Sequence, residues 1–288
     1  MRSALTGLAA AAATVTTTLL TPLSAAAAPQ DYDTYVALGD SFAAGPLVPT
    51  QNGDAGTCLQ STDNGYPAQL AATLGVRNFR NVTCSGAKAQ EFGQAGPGWG
   101  RGATPQYDAL RADTDLVTLT IGANDAGLFQ DLIGCLNPLP GNAARACVDR
   151  FTAGGVDQLA AKVDAAAPVI GGALDEIARR APHARIVITT YADYLRPGGC
   201  PSLAAPIAPR DADYLQTTID RLGDRIAEQA ATHGATFVDL RPAALGHDSC
   251  AAPEDRWIEP LVPASAAAPF HPNARGGQAI AAVIANAL

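Results

Sequence analysis

"YVALGDSFAAG", Tyr35–Gly45, is the stretch on which the fold turns. Tyr35 to Leu38 are apolar or β-branched in unbroken succession, as in a strand buried on both faces. Gly39, Asp40 and Ser41 end that run, and small residues follow Phe42. A serine thus stands where a strand stops and a loop begins. With the first strand at Thr34–Leu38, similar runs recur at Phe79–Val82, in "DLVTLTIG" ending near Ile121, at Ala184–Thr190 and at Ala235–Leu240. Helical patterns lie between them: Tyr66–Leu74, Val156–Ala181 with a break expected at Pro168, Asp211–His233 with Asp211 as N-cap, and Ala274–Leu288. Strands alternating with helices predict an α/β fold, a three-layer α/β/α sandwich around a parallel sheet.

Residues 1–28 read as a leader rather than as part of the fold. Arg2 gives a basic start, Leu5–Leu20 is apolar or small, and Ala25–Ala28 supplies a small-residue cleavage site, so a cleaved signal peptide and a secreted protein are expected. The remainder, 29–288, is long enough for one large domain. The formal net charge of −8 makes nucleic acid a poor partner, and no later segment is apolar enough for stable membrane insertion. Six cysteines in the exported part imply disulfides, and the absence of a C-x-x-C pair argues against a zinc site. Sequential pairing, Cys58–Cys84, Cys135–Cys147 and Cys200–Cys250, brackets one connecting region per bridge.

In open α/β sheets ligands bind beyond the carboxyl ends of the strands. Ser41 follows the first strand, Ser85-Gly86 the second, Asn124 the third, Tyr191 and Asp193 the fourth, and His247 the fifth, while His271 precedes the last helix. A serine, a close-approaching glycine N–H, an asparagine amide and a histidine are the parts that acyl transfer needs. Gly-rich and Pro-rich connections at Gly93–Pro105, Asn137–Asn142 and Arg241–Pro269 fit loops around such a site. No G-x-S-x-G elbow, H-E-x-x-H or P-loop occurs, and "NVT" at Asn81–Thr83 falls in a predicted strand and reads as chance.

"GDSF" at Gly39–Phe42, the glycine of "CSGA", "GAND" at Gly122–Asp125 and "HPN" at His271–Asn273 appear in order. Together they resemble the four blocks of the SGNH (GDSL-type) hydrolase family, most of all its secreted actinobacterial lipases and esterases. The resemblance implies a flavodoxin-like sheet of five parallel strands in order 2-1-3-4-5. It implies Ser41 as nucleophile, His271 as general base, and the Ser41 N–H, Gly86 and Asn124 as oxyanion donors. It implies a lipid or other ester substrate and neither metal nor organic cofactor. One position departs from the family: the aspartate expected three residues before the histidine is Ala268. A backbone carbonyl, of Ala268 or Pro269, is then expected to orient the imidazole in a Ser–His dyad, with the Asp255 carboxylate as rival.

Of the other histidines, His183 and His233 precede strands and belong at the wrong edge; His247 is the only competitor of His271. Asn124 has an alternative as cap of a helix starting near Ala126, and Asp40 reads as a structural acceptor for loop amides. Phe42, Trp99, Phe129 and Phe270 flank the blocks and are expected to line an acyl groove. The expected activity is ester hydrolysis by a monomer, on lipids, with phospholipase A or carbohydrate acetyl esterase as variants of the same machinery. A catalytically dead binding module is the reading least compatible with Ser41 and His271.

Overall fold

Five strands, β1 (Thr34–Gly39), β2 (Asn78–Asn81), β3 (Leu116–Thr120), β4 (Arg185–Thr189) and β5 (Thr236–Val238), form one parallel sheet ordered β2-β1-β3-β4-β5. The structure is a computed structural model that describes Met1 and residues 31–98, 100, 101, 103–137 and 146–288, with backbone only for 54–56. Residues 2–28 of the expected leader, Trp99 and parts of two expected loops lie outside the described residues. β1 and β3 are buried along their whole length, as central strands covered on both faces must be.

Eight α-helices are assigned among the described residues: α1 (Ser41–Ala44), α2 (Tyr66–Leu74), α3 (Leu128–Ile133), α4 (Cys147–Phe151), α5 (Gln158–Arg180), α6 (Pro209–Thr232), α7 (Arg241–Ala244) and α8 (Ala274–Ala287). α2 packs against α8, and α5 against α6, so the sheet lies between two helical layers. This is the three-layer α/β/α fold expected from the alternating pattern. The core is continuous from Leu38 and Leu119 on the strands to Ile170 and Leu174 on α5 and Ile280 and Ile284 on α8.

Two helix expectations need correction. α5 is not broken at Pro168 but runs through it. Pro168 lies on the exposed face, where the Asp164 carbonyl left without a helical N–H can turn to water. Asp211 is not the cap of α6, which starts at Pro209 after Ala208. Proline suits the first helical turn, and Asp211, 2% exposed, instead accepts a hydrogen bond from Val148 N–H at the start of α4.

Three disulfides join Cys58 to Cys84, Cys135 to Cys147 and Cys200 to Cys250, leaving no free cysteine among the described residues. No described helix is long and apolar enough to cross a membrane.

Candidate active site

Ser41 is carried to the carboxyl edge of the sheet by β1 and presented as the first residue of α1. The turn between them depends on Gly39. Its φ is +134°, and a Cβ there would sit 2.6 Å from the Thr120 carbonyl oxygen of β3. Asp40 caps α1: its Oδ1 accepts from Phe42 N–H at 2.9 Å, and its own N–H donates to Thr120 at 3.0 Å. Gln106 pins the same corner, its side-chain amide exchanging two hydrogen bonds with Gly39 N–H and C=O at 2.9 and 3.0 Å.

Behind the serine lies a buried polar pair. The Tyr191 hydroxyl donates to Asp40 Oδ2 at 2.5 Å and accepts from Ala123 N–H at 3.0 Å. One hydroxyl from the end of β4 thus links the Ser41 turn to the "GAND" loop after β3. Burial raises the Asp40 carboxyl to about 7 against the pull of these hydrogen bonds. Burial and the neighbouring carboxylate push the Tyr191 phenol well above its ordinary value, so it stays a donor.

His271 Nε2 lies 2.7 Å from Ser41 Oγ, and Nδ1 lies 2.7 Å from the Pro269 carbonyl oxygen. A carbonyl can only accept, so Nδ1 carries the proton and Nε2 faces the serine hydroxyl as an acceptor. The Ala268 carbonyl does not serve the ring; it accepts from His271 N–H at 3.2 Å. Nor does Asp255, whose carbonyl meets His247 Nδ1 at 2.5 Å. His247 is stacked flat on Trp257 and stands apart from the lining of the serine site. Burial lowers the His271 pKa, and the Pro269 carbonyl only partly opposes this.

The loop after β2 brings Gly86 to the same cleft. The turn closes with Ala87 N–H donating to Cys84 C=O at 3.1 Å, and Gly86 occupies its third position with φ +79°. The Cys58–Cys84 disulfide anchors the first residue of that turn. Asn124 does not cap a helix; α3 begins at Leu128 after Gly127. Its Nδ2 donates to Ala87 C=O at 3.1 Å, tying the loops after β2 and β3 together and leaving a second N–H on the same nitrogen.

Two cavities meet at Ser41, Asn124, Phe129 and His271. One is apolar: Phe42 and Phe270 line it, with Leu128 and Leu132 of α3 and Leu215 and Ile219 of α6. The other is polar and includes Gly86, Lys88, Asp125, Gln130 and Lys162. Trp99, expected in the groove, lies outside the described residues.

Sequence reasoning did not single out the leucines and isoleucine of α3 and α6. Their signal is present, since 215, 218, 219 and 222 share one helical face, but that spacing fits any buried face equally. It also missed Gln106, the linking role of Tyr191, and Glu259. The Glu259 carboxylate is fully buried, accepting from Asn273 Nδ2 at 2.7 Å and from Ala264 N–H at 2.8 Å. No cluster of three or more His, Cys, Asp or Glu among the described residues could hold a metal ion.

Comparison with known proteins agrees with this arrangement. The profile of the GDSL-like lipase/acylhydrolase family matches residues 37–279. Lipase 2 of Streptomyces coelicolor is 39% identical over 252 residues, 86% of this chain and 83% of that protein. The crystal structure of an extracellular lipase from Streptomyces rimosus superposes with a TM-score of 0.74 at 28% identity, covering 89% of this chain and all of that one. A phospholipase A1 from Streptomyces albidoflavus superposes at 0.72 and 27% identity, with 89% and 100% covered. With Ser41, Gly86, Asn124 and His271 gathered around one cleft, the chain belongs to the GDSL-like lipase/acylhydrolase family of carboxylic ester hydrolases.

Proposed function

We propose that the chain is a secreted lipase or esterase that cleaves carboxylic esters of lipids through an acyl-Ser41 intermediate. His271 Nε2 takes the proton from Ser41 Oγ as the oxygen attacks the ester carbonyl. The Ser41 and Gly86 N–H groups and the free Asn124 Nδ2–H receive the developing oxyanion. The tetrahedral intermediate collapses, and His271 returns the proton to the leaving alcohol. Water then attacks the acyl-enzyme, with His271 again as base, and releases the carboxylic acid. The Pro269 carbonyl steadies the imidazole as a dyad with no third charged member.

The observation that carries this reading is the 2.7 Å contact between Ser41 Oγ and His271 Nε2, with Nδ1 held at 2.7 Å by Pro269. The apolar cavity beside it favours a fatty acyl chain over acetate. Every proposed donor and base comes from one chain, which fits a monomer. Secretion rests on the leader pattern over 1–28, on the three disulfides and on the extracellular lipase among the structural neighbours. The mature enzyme is one domain over 29–288. A chain-length series of nitrophenyl esters, beside triolein and phosphatidylcholine, tests the substrate class. The Ser41→Ala variant should lose at least ~10⁴-fold in kcat while keeping its circular dichroism spectrum. Turnover surviving in that variant refutes the nucleophile.

A further inference from the structure

The chain contains only two lysines, Lys88 and Lys162, and both line the polar cavity that meets Ser41 and His271. All other strong cations are arginines, and many are committed elsewhere: Arg221 and Arg225 share Asp164, and Arg241 holds Asp224 and Asp239. Lys162 is also committed, its Nζ 2.7 Å from Asp131 Oδ2. Lys88 is different. It is half-buried, and among the described residues it forms no ion pair. Asp125 shares the cavity and feels the lysine's charge, but it and Glu91 spend their hydrogen bonds on backbone amides. Both Asp125 oxygens accept from Ala89 N–H at 3.0 Å, and Glu91 Oε2 accepts from the N–H groups of Lys88 and Gly98 at 3.3 and 3.1 Å.

The position of this ammonium gives it meaning. If the acyl chain fills the apolar cavity, the alcohol half of the ester must leave through the polar one, because the two meet only around the serine, asparagine, phenylalanine and histidine. A diacylglycerol leaving group is apolar and gains nothing from that lining. A glycerophosphate carries its anion a few bonds from the ester oxygen, on the side where Lys88 stands. An ammonium on a half-buried lysine with no ion pair of its own favours such a charge.

We propose that the polar cavity is an alcohol-side subsite for the phosphodiester of a glycerophospholipid, with the Lys88 ammonium as its principal ligand. The inference rests on the lipid-ester reading above and extends it from the acyl half of the substrate to the alcohol half.

The full-length secreted enzyme is assayed on dioleoylphosphatidylglycerol and on dioleoylglycerol in the same detergent micelles, with nitrophenyl butyrate beside them. The wild type should prefer the phospholipid. Lys88→Gln should lower the phospholipid-to-diacylglycerol ratio of kcat/KM by ~10-fold, about one charge-assisted hydrogen bond, and Lys88→Arg should restore most of it. Glycerol 3-phosphate should inhibit the wild type competitively, and the Lys88→Gln variant less. An unchanged ratio in Lys88→Gln overturns the proposal. So does inorganic phosphate inhibiting through Lys88 while phospholipid turnover ignores that residue, which assigns the subsite to free phosphate. A wild type that hydrolyses nitrophenyl butyrate but not the phospholipid overturns this proposal alone. One that hydrolyses no ester overturns the function on which it rests.

Discussion

Ser41 and His271 meet at 2.7 Å but arrive by different routes. Ser41 stands two residues beyond the central strand β1, and its turn is held by groups from several neighbouring segments: Thr120 on β3, Gln106 in the loop before β3, and Tyr191 after β4. His271 ends the long connection between α7 and α8, and its ring is held by a carbonyl only two residues away. That connection bends sharply at Phe270, which is 2% exposed and adopts φ +59°, a left-handed value costly for a bulky side chain. Glu259 anchors the loop from within, bonded to Asn273, Ala264 and Ser265. The Ser41 side, that of the proposed nucleophile, is therefore rigid because the sheet is rigid. The histidine side is rigid only as far as one buried carboxylate and one local turn make it so.

Short of removing the serine itself, the largest effect should come from the group that ties the Gly86 loop to the loop after β3. Asn124→Ala removes both the bond to Ala87 and the free N–H, and kcat should fall ~10²–10³-fold in steady-state assays with little change in KM. A loss below tenfold would demote Asn124 to a loop tie. Tyr191→Phe tests the rigidity of the same side without touching substrate. It leaves Asp40 Oδ2 and Ala123 N–H without their shared partner, and kcat should drop ~10-fold through misplacement, with KM retained. A fall in thermal stability alone, at unchanged kcat, would mean that the nucleophile turn does not need this link.

The two sides also differ in how far the sequence announces them. The nucleophile side follows from local rules: an apolar run, a glycine and a serine at a strand end are enough to place Ser41 at the sheet edge. Gly86 and Asn124 are legible in the same way, each after its own strand. The histidine side is less legible, because its support comes from residues with no local pattern. Ala268 at the family's aspartate position announces that something else must hold the ring, but not that the Pro269 carbonyl does so while Ala268 takes the backbone N–H. Glu259 looks like any loop carboxylate, yet it is fully buried and bonded to Asn273 fourteen residues on. Gln106 and Tyr191 share this problem on the other side, since each acts across more than sixty residues of sequence.

Glu259→Gln should show how much the histidine side depends on its anchor. The hydrogen bonds from Asn273, Ala264 and Ser265, with the Arg256 guanidinium 3.5 Å away, outweigh burial and hold the carboxyl below its ordinary range, so it is a buried charged acceptor. A glutamine presents an N–H toward one of these donors, and the variant should be destabilised by ~1–3 kcal/mol in urea unfolding. Activity at low temperature should persist if the turn at Phe270 suffices. An unchanged unfolding midpoint would place the anchor elsewhere.

The smallest effect separates the two sides by pH. In the proposed mechanism His271 must be neutral to accept the serine proton, and burial lowers its pKa. The acid limb of kcat/KM should therefore have its midpoint below ~6.5, the ordinary imidazole value, with activity rising through it as pH increases. Asp40 acts in the opposite sense and on stability. Its carboxyl ionises near 7 in the folded chain and near ~3.9 when unfolded, so between those values the folded state binds more protons. Stability should then fall as pH rises from about 4 to about 7, while activity is rising. Asp40→Asn should flatten that part of the urea-midpoint profile but leave the acid limb of kcat/KM at the same pH, because the limb belongs to His271. If the variant moves the limb, the two sides are electrostatically coupled through Ser41 and the separation drawn between them fails.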